Sequence, residues 1–228
     1  MAEIKVMLFS SREDLFQSFV KDVSNLLTRS IEKRGKTTIA ISGGRTPQHF
    51  FPILSNLPLP WSKVFITLAD ERWLDPLHLD SNEGLVQRLL IQGPATAANF
   101  IGLKNFADNP FEGLAMCRES LKNLSWPLDG ILLGMGMDGH IASLFPDRPE
   151  WLKTHDIIFP VAASANREAR VSLTPTAILN CRQIFLVIID PQRRTIFETA
   201  MQSGPIAKLP VRLILHQNKV PVTVYMLD

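Results

Sequence analysis

Three glycines, an aspartate and a histidine crowd into Gly134-Met135-Gly136-Met137-Asp138-Gly139-His140, directly after the apolar run Ile131–Leu133. Glycines let a backbone turn tightly and approach a ligand closely. Asp138 and His140 add a carboxylate and an imidazole that can move a proton near neutral pH. At the end of a buried strand, this set suits a catalytic loop with His140 as general base. The stretch then closes through Ile141-Ala142-Ser143-Leu144-Phe145-Pro146. Two more segments share the pattern. Ser42-Gly43-Gly44-Arg45-Thr46 follows the β-branched run Thr37–Ile41 and precedes Pro47, which suits a first helical turn. Glycine N–H groups, hydroxyls, a guanidinium and a helix start together read as an anion cradle, although the Gly-Lys-Ser/Thr ending of a P-loop is absent. Asp70-Glu71-Arg72 follows the apolar run Val64–Leu68. In extended backbone, Asp70 and Arg72 share one side and Glu71 takes the other. Arg170 interrupts an apolar strand pattern. Arg193 and Arg194 open a helix, where the dipole disfavours cations unless an anion is near. Each segment alone also reads as an ordinary polar turn; their combination points to a site.

The elements that must position these residues follow from periodicity. Leu15, Phe19, Val23, Leu26, Leu27 and Ile31 fall at helical spacing. They predict a helix over 12–34, started by Ser11 with Asp14 and stopped by Gly35. Apolar and β-branched runs predict strands at 4–9, 37–41, 64–68, 129–133, 157–161, 169–173, 183–189 and 222–227. Helical patterns follow at 83–90, 110–124 and 192–202, with polar connections at 75–82 and 162–168. Strands alternating with helices imply an α/β fold, a doubly wound, mostly parallel sheet flanked by helices. In such sheets ligands bind outside the carboxyl ends of the strands. The loops 42–46, 70–73 and 134–140 are therefore expected to meet at one site.

Composition narrows the function classes. The chain has 228 residues, a formal charge of +2 and scattered basic residues, which argues against nucleic acid or an anionic membrane surface as partner. Residues 1–228 read as one domain, since the Pro/Gly clusters at 58–60 and 204–210 are loop-sized. The longest aliphatic run, Ile184–Ile189, is far short of a membrane span. The start, Met1 to Lys5, lacks the pattern of a signal peptide. Cys117 and Cys181 form neither a metal motif nor a disulfide framework and are expected in the core. A cytoplasmic setting is expected, with no obligatory protein partner. His49, His78, His155 and His216 are scattered, and neither a Gly-x-Ser-x-Gly elbow nor a His-Glu-x-x-His pair occurs. Gly134-Met135-Gly136 with Gly139 only approaches a dinucleotide fingerprint, because no matching helix start follows it. No cofactor and no metal are expected.

Ser42-Gly43-Gly44-Arg45-Thr46-Pro47, Asp70-Glu71-Arg72, Ser81-Asn82 and the run from Gly134 to Pro146, in this order and spacing, resemble the 6-phosphogluconolactonase family over nearly the whole chain. The resemblance implies hydrolysis of 6-phosphoglucono-δ-lactone to 6-phosphogluconate, in the oxidative pentose phosphate pathway, without a metal. It also implies the fold of glucosamine-6-phosphate deaminase. That deaminase is the nearest rival, but its run resembles Asp-Gly-His-Ile-Ala-Phe-Asn-Glu-Pro. Here Ser143-Leu144-Phe145 leaves no glutamate, and Asp147 lies past the proline. A non-catalytic sugar-phosphate sensor is the other alternative; retention of His140, Asp70 and Arg72 and the lack of room for an output module favour an enzyme. Two departures stand out. Arg45 occupies a place where the family often has serine. Arg193 or Arg194 takes the place of a late lysine. On this reading His140 activates water at C1, and Asp138 or Asp70 orients it. Arg72 and glycine N–H groups of the 134–139 turn, Gly136 among them, stabilise the oxyanion or contact substrate. Ser42, Gly43, Gly44, Arg45 and Thr46, with Arg170 and Arg194 or Arg193, hold the 6-phosphate.

Overall fold

The apolar runs become the middle of a seven-stranded sheet. The computed structural model describes residues 3–228; Met1 and Ala2, part of the start read as lacking a signal peptide, lie outside the described residues. The strands are β1 (Ile4–Phe9), β2 (Thr37–Ile41), β3 (Val64–Leu68), β4 (Asp70–Arg72), β5 (Asn99–Ile101), β6 (Gly130–Gly134), β7 (Ile158–Val161), β8 (Arg170–Leu173), β9 (Ile184–Ile188) and β10 (Val222–Leu227). The helices are α1 (Arg12–Arg34), α2 (Pro47–Ser55), α3 (Asn82–Leu89), α4 (Pro110–Leu121), α5 (Pro175–Ile178), α6 (Pro191–Met201) and α7 (Arg212–Leu215).

The large sheet has the order β1-β10-β9-β6-β2-β3-β5, and its neighbours pair in parallel. Every residue of β2 and β9 is buried. That is why these strands read as unbroken apolar runs rather than alternating ones: helices cover both faces. The chain winds outward from β2 through β3 to β5, then returns to the other side of β2 with β6. The gap between β2 and β6 is thus the point where winding reverses, and an open crevice forms at their carboxyl ends.

Helix α1 begins and ends as its sequence predicts. The Ser11 hydroxyl accepts the Asp14 N–H at 3.1 Å. Gly35 takes φ +78° and donates its N–H to the Ile31 carbonyl at 2.7 Å. Cys117 and Cys181 are buried, and burial pushes their thiols up to about 11 and about 12.

Two expectations change. Asp70–Arg72 is a strand rather than a loop, and the strands expected near 157–161 and 169–173 leave the large sheet. The three form a small antiparallel sheet in the order β4-β8-β7. Ala69 is the cause. Its N–H donates to Ile41 O in the large sheet, and its carbonyl accepts the Leu173 N–H, both at 2.8 Å. The chain therefore passes from one sheet to the other across a single residue. Edge strand β5 was not predicted from the sequence; three residues carry too little periodicity to register.

Candidate active site

A cavity of about 270 Å³ opens at the carboxyl ends of β2 and β6. It is lined by Ser42 to Thr46, Asp70, Arg72, Asn82, Gly134 to Gly136, His140, Arg170 and Arg193, with Phe19 and Phe50 on its apolar side. The three predicted segments do meet.

The β2 loop keeps its donors free. No internal hydrogen bond engages the N–H groups of Gly43, Gly44 or Arg45 among the described residues. Gly44 sits at φ +97°, which a side chain would strain. Gly43 has no room for a side chain, because Asn82 occupies the space. The Ser42 hydroxyl is buried with no partner in the protein. Thr46 precedes α2 without capping it, so its hydroxyl is not committed there.

The β4 segment splits by side, as alternation requires. Asp70 and Arg72 reach the cavity, while Glu71 is fully buried behind them. Asp70 accepts the Ser143 hydroxyl at 2.5 Å and Arg170 Nη1 at 3.3 Å. Asn82 Nδ2 donates to the Asp70 carbonyl at 2.8 Å. The strand register sets Arg72 directly opposite Arg170. Like charges placed so repel and call for an anion between them. Desolvation lowers the Arg170 pKa; Asp70 opposes this shift, and Arg72 adds to it. Arg72 also donates to the Asp80 carbonyl. Nε of Arg72, Arg170 and Arg193 is in each case buried without a protein partner. Three guanidinium groups with spare donors around one cavity make a receptor for a multiply charged oxyanion.

Glu71 gathers the neighbouring backbone. Its oxygens accept the N–H groups of Arg72 (2.7 Å), Asn82 (2.8 Å) and Glu83 (2.7 Å), and the Ser81 hydroxyl (3.3 Å). Burial pushes its carboxyl up to about 7, against the pull of those N–H groups.

The β6 turn holds the imidazole. His140 Nδ1 lies 2.5 Å from Asp138 Oδ1, and its ring lies 4.6 Å from that of Phe145. Burial raises the Asp138 carboxyl, but hydrogen bonding and charge from His140 outweigh it and hold the group below its ordinary value. An ionised Asp138 assigns the proton to Nδ1 and leaves Nε2 with the lone pair. Of the two carboxylates considered, Asp138 touches His140; Asp70 is bound to Ser143 and Arg170 instead. The glycine N–H groups offered for an oxyanion need correcting. Gly136 N–H is bound to His140 O at 2.9 Å, and Gly139 N–H to Gly136 O at 3.1 Å. They fold the turn and are not available to substrate. Gly136 is required for space, since the His140 ring and Asp138 stand where a side chain would project.

Arg194 is the second correction. Its Nε pairs with Glu198 at 3.0 Å and its Nη1 with Asp228 at 2.7 Å. Arg193 reaches the cavity instead. Glu198, four residues after Arg194, is the sequence signal for this choice: it marks Arg194 as the surface-paired arginine. Asn82, Ser143, Phe19 and Phe50 were absent from the sequence-derived site; Ser81-Asn82 and Ser143 entered the sequence reading only within the motifs that carry the family resemblance.

Residues 10–224 match the family of glucosamine-6-phosphate isomerases and 6-phosphogluconolactonase. A 6-phosphogluconolactonase of Mesorhizobium japonicum is 39% identical over 222 residues, covering 95% of this chain and 92% of the relative. The crystal structure of a 6-phosphogluconolactonase from Shewanella baltica superimposes with a TM-score of 0.94 at 35% identity, covering 100% and 98% of the two chains. A monomeric glucosamine-6-phosphate deaminase, 16% identical with a TM-score of 0.78 over 96% of each chain, shares the fold.

Proposed function

This chain belongs to the family of glucosamine-6-phosphate isomerases and 6-phosphogluconolactonase, and within it we propose that the protein hydrolyses 6-phosphoglucono-δ-lactone to 6-phosphogluconate in the oxidative pentose phosphate pathway. His140 Nε2 takes a proton from the water that attacks C1. The C1 carbonyl π electrons move onto its oxygen, and Arg72 stabilises the resulting oxyanion. Collapse breaks the bond between C1 and the ring oxygen, and the imidazolium returns the proton to that oxygen. Asp138 is a positioning residue that fixes the tautomer of His140. The 6-phosphate sits against the free N–H groups of Gly43, Gly44 and Arg45, the hydroxyls of Ser42 and Thr46, and the guanidinium groups of Arg170 and Arg193. Anchoring that remote dianion places C1 over the imidazole.

The observation that carries this reading is a His140–Asp138 pair at 2.5 Å on the wall of a cavity edged by three arginines with spare donors. Ring-opening deamination is disfavoured because Phe145, an apolar side chain directly before Pro146, stands where the deaminase run carries its glutamate.

Freshly prepared lactone and, separately, glucosamine 6-phosphate test the proposal. The expected result is acid release well above the spontaneous rate from the first and no ammonia from the second. Acid release at the spontaneous rate, or ammonia from the amino sugar, overturns it.

A further inference from the structure

Arg212 is buried, 6% exposed, yet its partners are carbonyls rather than carboxylates. Nη2 donates to Thr199 O near the end of α6, and Nη1 donates to Pro205 O in the following loop, both at 3.2 Å. The guanidinium also fills the space beside Gly204. Burying a cation without a counter-ion is costly. Part of that cost is offset because α6 has no basic residue in its own last turn, and Arg212 supplies the cation its carboxyl end favours. His216 adds a second tie, with Nε2 2.7 Å from Ala200 O.

What this bracket joins is the point. At its other end α6 presents Arg193 to the cavity. The loop that Arg212 holds returns to the turn of β6: Val211 N–H donates to Gly139 O at 2.8 Å, and Leu209 packs on Gly139. Gly139 adjoins His140. One side is a rigid helix about 16 Å long. The other is a single peptide link next to the imidazole. Arg212 closes the figure between them.

We propose that Arg212 is a positioning residue that sets the separation between the Arg193 guanidinium and the His140 imidazole, and hence where a phosphate-anchored ring lies over the base. This rests on the assignment of Arg193 to phosphate and His140 to the base. Loosening the bracket leaves both side chains present but lets the anchor and the base drift apart. A misplacement of this kind is felt in turnover. It matters only while the anchor is in use.

The test is a double-mutant cycle in the full chain with 6-phosphoglucono-δ-lactone, corrected for spontaneous hydrolysis. Arg212→Met is expected to lower kcat/KM about tenfold, mainly through kcat, with Arg212→Lys recovering part of the loss. In an Arg193→Met background the same Arg212→Met change is expected to cost less than about twofold, because the one phosphate contact whose position Arg212 sets is already gone. Equal losses in both backgrounds, or no loss in either, overturn the proposal; a purely structural defect gives the former. If Arg212→Met does not fold, Arg212→Lys takes its place in the cycle under the same criterion. A wild-type protein that fails to accelerate the lactone removes the functional assignment, and the bracket with it; an active wild type with an additive cycle removes the bracket alone.

Discussion

The two ends of the large sheet both carry a hollow edged with cations, and only one of them looks like a site for chemistry. The hollow at the amino ends of the strands is the roomier, about 380 Å³ against about 270 Å³, and Arg29, Lys33, Arg34 and Arg182 line it. There the charge is spent on the fold. Asp129 receives Arg34, takes Arg182 Nε at 3.5 Å and accepts the Thr38 N–H at 2.8 Å. Lys33 and Arg34 stand in the last turn of α1, where a cation complements the helix dipole. At the carboxyl ends the arginines keep unpartnered Nε groups, and the β2 loop keeps its N–H groups free. Volume therefore ranks the two ends wrongly and charge does not separate them, since four basic side chains and one aspartate line each; unspent hydrogen-bonding capacity does separate them.

The sharpest way to break this contrast is at the base. His140→Ala is expected to lower kcat by about 10²–10⁴-fold with little change in KM or melting temperature. Unchanged turnover would move the base elsewhere. At the opposite end, Asp129→Ala is expected to cost about 1–3 kcal/mol of stability, since it strands the buried Thr38 N–H, while Arg34 and Arg182 keep contact with solvent. Its kcat should stay at the wild-type value; urea titration and lactone turnover on one preparation separate the two effects.

Glu71 sharpens the comparison from a third side, because it is a buried carboxylate met by N–H groups rather than by guanidinium groups. Its folded-state pKa is raised from 4.5 to about 7. The neutral form is thus favoured in the folded protein. The contribution to stability is full below about pH 4.5 and is lost as pH rises through about 7. Urea titrations from pH 5 to pH 8 should show a decline of about 2–3 kcal/mol that is absent in Glu71→Gln. A decline of the same size in that variant assigns the titration to another group. The smallest expected effect separates neighbours. Arg193→Met should raise KM about tenfold, and Arg194→Met less than about twofold, because Arg194 is an exposed surface pair. Equal effects would erase the distinction between the two arginines.

Where the sequence was readable, the interactions were local. Asp138 and His140 lie two residues apart in one turn, so Asp138 stood among the two aspartates the sequence offered for the imidazole. The β2 loop and its helix start were equally visible. Ser143 reaching Asp70 spans 73 residues, and Arg170 reaching Asp70 spans 100. No periodicity encodes such pairs; the switch of sheets at Ala69 creates them. The same switch hid β4, whose three charged residues carry no strand pattern. The Gly136 and Gly139 N–H groups were misjudged because glycine marks where a backbone can turn, not where its N–H will point.

The pairing of β1 with β10, from Ile4 with Val222 to Phe9 with Leu227, has a consequence for biosynthesis. As the chain leaves the ribosome, β1 has its sheet partner only when β10 is complete. Until then β9 is the outer edge of the half-built sheet on that side, and α1 has nothing of β10 to cover. Strands β2, β3 and β6 can assemble meanwhile. The crevice between β2 and β6 therefore belongs to the part that can form early, and the β1–β10 pairing closes the sheet last.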